Sequence, residues 1–282
     1  MKRKLLLVRD YLRSLMREPP IRLLFWALFH LPFFSVRLKA TWSACERPQY
    51  LAGVLAAADQ ARGQGVPAIA VIEFGVAAGA GLLILERHAR SVEKATGVRI
   101  AVFGFDTGHG LPALIGDHRD HPMSGAPATT RWMSRPCAVT STAALSWSSV
   151  TSPRRYRVSW PVQLTHLWAL PPSTSTSTRL RAITRDALKL FSSPERRMLH
   201  RVFLYFDDIM RPEHHAFASE RLAISEFNAE NACVKIEPWY GLDRWHPFPD
   251  RFWLRQMFIA HDLEAISSYK PPGRPPLPSS QP

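Results

Sequence analysis

Cysteine is scarce in this sequence. Cys45, Cys137 and Cys233 are odd in number, far apart and in no C-x-x-C pair. That excludes a disulfide scaffold and a zinc ribbon, and it fits a reducing compartment. Membrane-length apolar runs are lacking too. The run from Ile21 to Phe34 has 14 residues, carries Arg22, His30 and Pro32, and is followed by no small-x-small cleavage site. It is too short to span a bilayer and does not read as a secretory leader. The third absence is of acid. From His121 to Arg185 there are 65 residues with no Asp, Glu or Lys, but with eight arginines and 21 Ser or Thr. This interval supplies +8 of the formal charge of +13, so the excess of base is weak evidence for a nucleic-acid surface. No nucleic-acid partner is expected.

What remains is ample for a folded core. The chain has 282 residues, 46% of them hydrophobic, enough for one large α/β domain or two small ones. Met1 to Arg17 is basic and apolar. With Ile21 to Phe34 it reads as an amphipathic helical extension over residues 1–49, packed on the domain in a cytoplasmic protein. A peripheral membrane contact through residues 1–34, using Lys2, Arg3, Lys4, Phe25, Trp26 and Phe29, is the alternative.

Residues 50–270 read as the main domain. Tyr50 to Gly65 has alanines and leucines at helical spacing and closes on glycine. Ala68 to Phe74 (AIAVIEF) is a short, nearly continuous apolar run, as expected of a parallel strand covered on both faces. A glycine turn, a helix from about Leu82 to Ala95 and a second buried strand, Val98 to Phe105, complete a βαβ unit. The grammar returns with a strand at Arg201–Phe206, a helix at Ala216–Asn228, a strand at Cys233–Trp239 and a last, antiparallel strand within Phe252–His261. The expected fold class is α/β, a doubly wound sheet that is mostly parallel. No strand or helix period emerges within residues 121–185, although such a sheet needs two more strands there. Residues 271–282 form a proline-rich tail expected to be disordered.

Two constellations carry chemistry. In the first, Glu73-Phe74-Gly75-Val76-Ala77-Ala78-Gly79-Ala80-Gly81 follows the first strand and opens the next helix. Glycines there let the backbone turn tightly and approach a ligand at a helix N-terminus. Asp106 lies 33 residues after Glu73, at the tip of the second strand, where an acid can accept both hydroxyls of a ribose. A tight turn and a solvated aspartate are the alternative. In the second, Asp207-Asp208 directly follows an apolar strand, at the carboxyl end of the sheet where such folds bind ligands. Two hard oxygen donors suit Mg²⁺, and an acidic turn capping the next helix is the alternative. His214, His215 and His261 are candidate bases on residue type alone.

The G-x-x-x-G-x-G spacing, with an acid at the strand end, resembles motif I of class I S-adenosylmethionine-dependent methyltransferases. Gly104-Phe105-Asp106-Thr107-Gly108-His109-Gly110-Leu111-Pro112 is similar to the F-D-S-F-x-G-L-P segment of the macrocin O-methyltransferase family. Ile72 to Val76, Phe206 to Ile209 and Glu220 to Phe227 resemble the same family. The matches cover roughly residues 67–122 and 183–227. The resemblance implies a Rossmann-like sheet with an antiparallel C-terminal strand. It implies a cofactor site for S-adenosylmethionine at Glu73, Gly75, Gly79, Gly81 and Asp106, and Mg²⁺ on Asp207 and Asp208 with a third aspartate from a preceding strand. The implied activity is O-methylation of a hydroxyl on a sugar or other small-molecule acceptor. A nicotinamide-dependent oxidoreductase, a sugar-nucleotide transferase and a non-catalytic basic or membrane-associated protein are the competing readings.

No aspartate for the third ligand precedes Ile183-Thr184-Arg185-Asp186-Ala187-Leu188, which resembles the family's helix start. A shifted reading frame would account for this. With G- or C-rich codons, Trp147–Pro153 read one nucleotide earlier gives Leu-Val-Ile-Gly-Asp-Val-Ser, and Pro172–Ser177 gives Val-Asp-Val-Asp-Leu. Both are strand-like, in order and in one frame. A genuine Ser/Thr-rich insertion is the alternative, because Ser-Thr repeats with G at the third codon position also give Val-Asp alternation.

Overall fold

The computed structural model describes residues 18–76, 79–105, 177–193, 196–210, 215–244 and 246–269. The readings made for Met1–Arg17, Asp106, the strand-like codons of 147–177 up to Thr176, His214 and the proline-rich tail lie outside them. The chain enters through two short helices, α1 (Pro20–Phe29) and α2 (Val36–Thr41). Ser35 caps α2 by accepting a hydrogen bond from the Leu38 amide. Helix α3 (Pro48–Gly63) starts on a proline, whose missing N–H costs nothing at that position. It buries Tyr50, Leu51, Val54, Leu55, Ala58 and Ala61, one stripe at helical spacing.

Strand β1 (Ala68–Phe74) pairs in parallel with β2 (Arg99–Phe105), in register from Ala68 opposite Arg99 to Phe74 opposite Phe105. Helix α4 (Ala80–Thr96) makes the crossover and ends on Gly97 at φ 76°, a left-handed stop open to glycine. After helix α5 (Ser177–Ser192) comes a second sheet of β3 (Arg201–Tyr205), β4 (Val234–Pro238) and β5 (Met257–Asp262), in the order β3-β5-β4. Helix α6 (Ser219–Glu230) links β3 to β4. Because β5 is antiparallel to both neighbours, β3 and β4 run the same way. A short helix α7 (Leu263–Ser268), capped by the Asp262 side chain, follows β5.

Strand alternation sorts the core into two faces. Ile69 and Val71 of β1, Phe203 and Tyr205 of β3, and Met257 and Ile259 of β5 pack with α3 and with Leu85 and Val92 of α4. Ile72, then Val202, Leu204 and Phe206, then Phe258 and Ala260, pack on the other side with Ala187, Leu188 and Phe191 of α5 and with Ile224 and Phe227 of α6. Helices therefore cover both faces of the strands, a three-layer α/β arrangement.

The fold class is thus mixed α/β, and the antiparallel C-terminal strand is present as expected. One continuous doubly wound sheet is not: among the described residues β1–β2 and β3-β5-β4 are separate sheets, joined by shared cores and not by ladder bonds. Other elements also depart from expectation. Strand β2 was expected to be buried, yet Arg99, Ala101 and Gly104 are exposed and none of its residues is fully buried. Among the described strands only β1 pairs with it. The segment before β5 is a 3-10 turn, Phe252–Gln256, which buries the consecutive Trp253 and Leu254 on one side; a pleated strand would point them to opposite faces. Helix α5 begins inside the interval that showed no period. Burial of Ala187, Leu188 and Phe191 anchors it, and each further turn back to Ser177 adds backbone bonds at low entropic cost. The apolar run at Ile21–Phe34 is helical only to Phe29, and α1 buries no residue fully.

The outer edge of β4 is closed by a side chain. Asn228 of α6 accepts from the Ile236 amide and donates to the Ile236 carbonyl, each at 2.7 Å, and so stands in for the next strand. Asn228→Ala removes both bonds and should cost about 2 kcal/mol by denaturant unfolding. Amide exchange should quicken at Ile236 with little change at β3.

Candidate functional site

The chain leaves β1 through two left-handed glycines, Gly75 at φ 78° and Gly79 at φ 82°. A side chain at either position is strained, so the predicted turn is a real constraint of this backbone. The Gly75 amide donates to the Phe105 carbonyl at 2.8 Å and ties the turn to the end of β2. Gly79 caps α4, and its own amide donates to the Val76 carbonyl at 2.9 Å. Gly104 lets the turn lie over β2: a Cβ there would come within 2.7 Å of Val76 Cγ2.

Glu73 faces inward and is fully buried. Tyr50 donates to its Oε1 at 3.1 Å, and Arg47 Nη1 donates to the Tyr50 hydroxyl. Its Oε2 is buried with no hydrogen-bond partner among the described residues. Gly81 makes room for the carboxyl, since a Cβ there would overlap Glu73 Oε1 and lie 2.9 Å from Arg47 Nη1. Burial lifts the Glu73 carboxyl to about 7, against the pull of the Tyr50 hydrogen bond and the Arg47 charge. Tyr50 is pushed far above its ordinary value, first by burial and then by the Glu73 charge, so it stays a donor. Glu73 and Gly81 therefore shape the first turn of α4 from inside, while Gly75 and Gly79 form its outer bend.

The acidic strand end is built separately and abuts this network. The Tyr205 hydroxyl donates to Asp207 Oδ1 at 2.8 Å, with Gln256 Oε1 at 3.2 Å. Gln256 Nε2 donates in turn to the Asp207 carbonyl. Tyr205 is held far above its ordinary value by burial and by the Asp207 charge. Asp207 is half-buried and Asp208 buried. The Tyr50 and Tyr205 rings meet edge to face at 6.4 Å, which brings the Glu73 turn and the Asp207 turn together at one end of the strands. Arg47, Tyr50, Tyr205 and Gln256 were not foreseen from sequence. Tyr50, a polar ring on the inward stripe of α3, is the one that pattern reading could have flagged.

Other candidates stand apart. His261 pairs across from Arg201 at the opposite end of β3 and lies 3.1 Å from Glu237 Oε1, so it does not reach Asp207. His215 is exposed and its Nδ1 accepts from the Phe217 amide at 3.2 Å. Among the described residues no three His, Cys, Asp or Glu side chains come together as metal donors. Among the described residues, Asp207 and Asp208 supply two carboxylates toward the several oxygen donors that a hard divalent cation takes.

Gly81→Ala should destabilise the protein by about 1–3 kcal/mol despite alanine's better helix propensity. In combination with Glu73→Ala its extra cost should largely vanish, a coupling read from a double-mutant cycle of urea midpoints. A carboxyl whose folded value is raised favours the folded state most at low pH. Wild-type stability should therefore fall, relative to Glu73→Gln, as pH rises from about 4.5 to about 7. The difference should reach about 3 kcal/mol, measured as unfolding free energy across that window.

No protein-family model, no curated protein and no solved structure matches this chain.

Proposed function

We propose that this chain is built as an S-adenosylmethionine-dependent O-methyltransferase acting on a hydroxyl of a sugar or other small metabolite. The observation that carries the reading is the junction just described. Two left-handed glycines bend β1 into α4, and a buried acid braces the bend from inside. An acidic strand end is locked alongside through Tyr50 and Tyr205. Turns of this kind present backbone amides to a ligand at the carboxyl edge of parallel strands.

In this reading the bend at Gly75 and Gly79 receives the methionine and adenosine parts of the cofactor, and Asp106 accepts the ribose hydroxyls. When bound, the cofactor supplies an electrophilic methyl group on a sulfonium. Glu73 is a positioning residue that sets the turn through Gly81 and does not touch the ligand. Asp207, held by Tyr205 and Gln256, orients the acceptor hydroxyl by accepting its hydrogen bond. Magnesium enters only as a variable of the test.

A second reading is favoured by the separation of the two sheets among the described residues. In it, residues 121–185 are a frame-shifted stretch that replaces two strands of an ancestral methyltransferase sheet, and the chain no longer transfers methyl groups. Genomic sequence lacking compensating insertions or deletions near Met123 and Ala182 would remove this reading.

Calorimetric titration of the full chain with S-adenosylhomocysteine, with and without Mg²⁺, tests the first reading. Micromolar binding that is lost in Asp106→Ala and in Gly79→Val supports it. A folded, monodisperse sample that binds nothing overturns it, and an aggregated sample favours the frame-shifted chain.

A further inference from the structure

Helix α1 is held on one side and bare on the other. On the held side Trp26 Nε1 donates to the Ser43 carbonyl at 3.1 Å, and Phe29 packs on Trp42 at 5.2 Å. Trp42 packs in turn on Phe248, and Ser43 Oγ lies 2.9 Å from His246 Nε2, so the helix is fastened to the far end of the chain. On the other side Ile21, Leu24, Phe25 and Leu28 follow at i, i+3, i+4 and i+7 and form one stripe, whose Phe25 edge reaches back to Trp42 at 5.6 Å. Ile21 is 63% exposed and Leu24 66%, with Phe25 and Leu28 at about 40%. In the turn that follows the helix, Leu31 is 42% exposed and Phe33 73%. A bound helix with its inner face satisfied has no packing reason to carry such a second apolar face.

Cationic groups lie beside the stripe. A cleft of about 740 Å³ between the α1–α2 turn and α4 is lined by Arg37, Lys39, Arg87 and Lys94, with Glu46 as its one carboxylate. Arg37 is also engaged by Asp59 and Arg87 by Glu46. Lys39 and Lys94 have no ion pair among the described residues. The sequence before α1 carries Lys2, Arg3, Lys4, Arg9, Arg13 and Arg17 against two acids, Asp10 and Glu18, and Glu18 lies 3.8 Å from Arg22. An apolar stripe flanked by cations matches the two layers of an anionic bilayer surface: acyl chains for the stripe, head groups for the charges. No helix among the described residues is long and apolar enough to cross the bilayer.

We propose that the exposed stripe of α1 and the following turn, flanked by the basic cleft, docks this chain on the surface of an anionic membrane. The stripe lies within the head-group boundary, and Lys39 and Lys94 face the lipid phosphates. The proposal is independent of the methyl-transfer reading.

Co-sedimentation of the full chain with phosphatidylcholine vesicles, with and without phosphatidylserine, tests it. Binding should require phosphatidylserine, weaken with salt, and drop by at least about tenfold in Leu24→Glu/Phe25→Glu. Phe33→Glu, in a turn outside the helix, should also weaken it. Phe217→Glu, an equally exposed phenylalanine beside α6, should leave it unchanged. Leu24, Phe33 and Phe217 are largely solvent-exposed, so thermal midpoints should change little, and only the change at Phe25, which touches Trp42, should lower the midpoint slightly. Absence of binding to either vesicle overturns the proposal, as does equal loss in Phe217→Glu. If Leu24→Glu/Phe25→Glu instead turns a dimer into a monomer in sedimentation velocity while vesicle binding persists, a second copy covers the face and the proposal fails.

Discussion

The hydrogen bond from Tyr50 to the buried Glu73 holds the junction of this fold. A carboxyl at the end of an otherwise apolar strand is costly to bury, and the cost is contained in three ways. Tyr50 donates to it, Arg47 polarises Tyr50, and the raised affinity for a proton lets the group shed its charge near neutrality. Each partner also fixes an element. Arg47 and Tyr50 set the start of α3, and Gly81 sets how closely α4 approaches β1. The bend between strand and helix then turns on the positive φ of Gly75 and Gly79.

Within the cores that the two sheets share, one aromatic contact ties this junction to the end of β3. Tyr205 is both the last residue of β3 and the ring that meets Tyr50. Its hydroxyl aligns Asp207, and Gln256 closes the loop by binding the Asp207 carbonyl. The two acidic turns singled out in the sequence are therefore mechanically linked, although 134 residues separate Glu73 from Asp207. A low-dielectric network of this kind makes its members interdependent. Loss of either tyrosine is expected to loosen both turns at once.

Local chemistry in the sequence carried much of this. Strand β1 was legible to the residue because a continuous apolar run bounded by proline and glycine admits little else. The glycine turn was legible because positive φ selects glycine. The inward role of Glu73 was not, since an acid at a strand end reads equally well as a ligand contact. Tyr50 escaped notice because its partner lies in another element and only packing brings them together. The exposure of β2 was hidden for a related reason: Ile100, Val102 and Phe103 look like a buried strand in any context, and burial depends on what neighbours supply.

Among the described residues the two sheets are separate, which bears on what the interval between β2 and β3 can contribute. Parallel strands covered on both faces are rich in Val, Ile and Leu because each side chain enters an apolar layer. Placing alternating Ser and Thr there would bury a hydroxyl at every position, each needing a partner that apolar neighbours cannot offer. The Pro172–Ser177 stretch is therefore a poor candidate for a central strand as translated. The Val-Asp alternation of its shifted frame places apolar side chains on one face and carboxylates on the other. With G or C at the third codon position, the same six codons would read as a polar tract in one frame and as an alternating strand in the next. That difference follows from the period-two geometry of a strand, and it makes the nucleotide sequence of this interval as informative about function as any ligand titration.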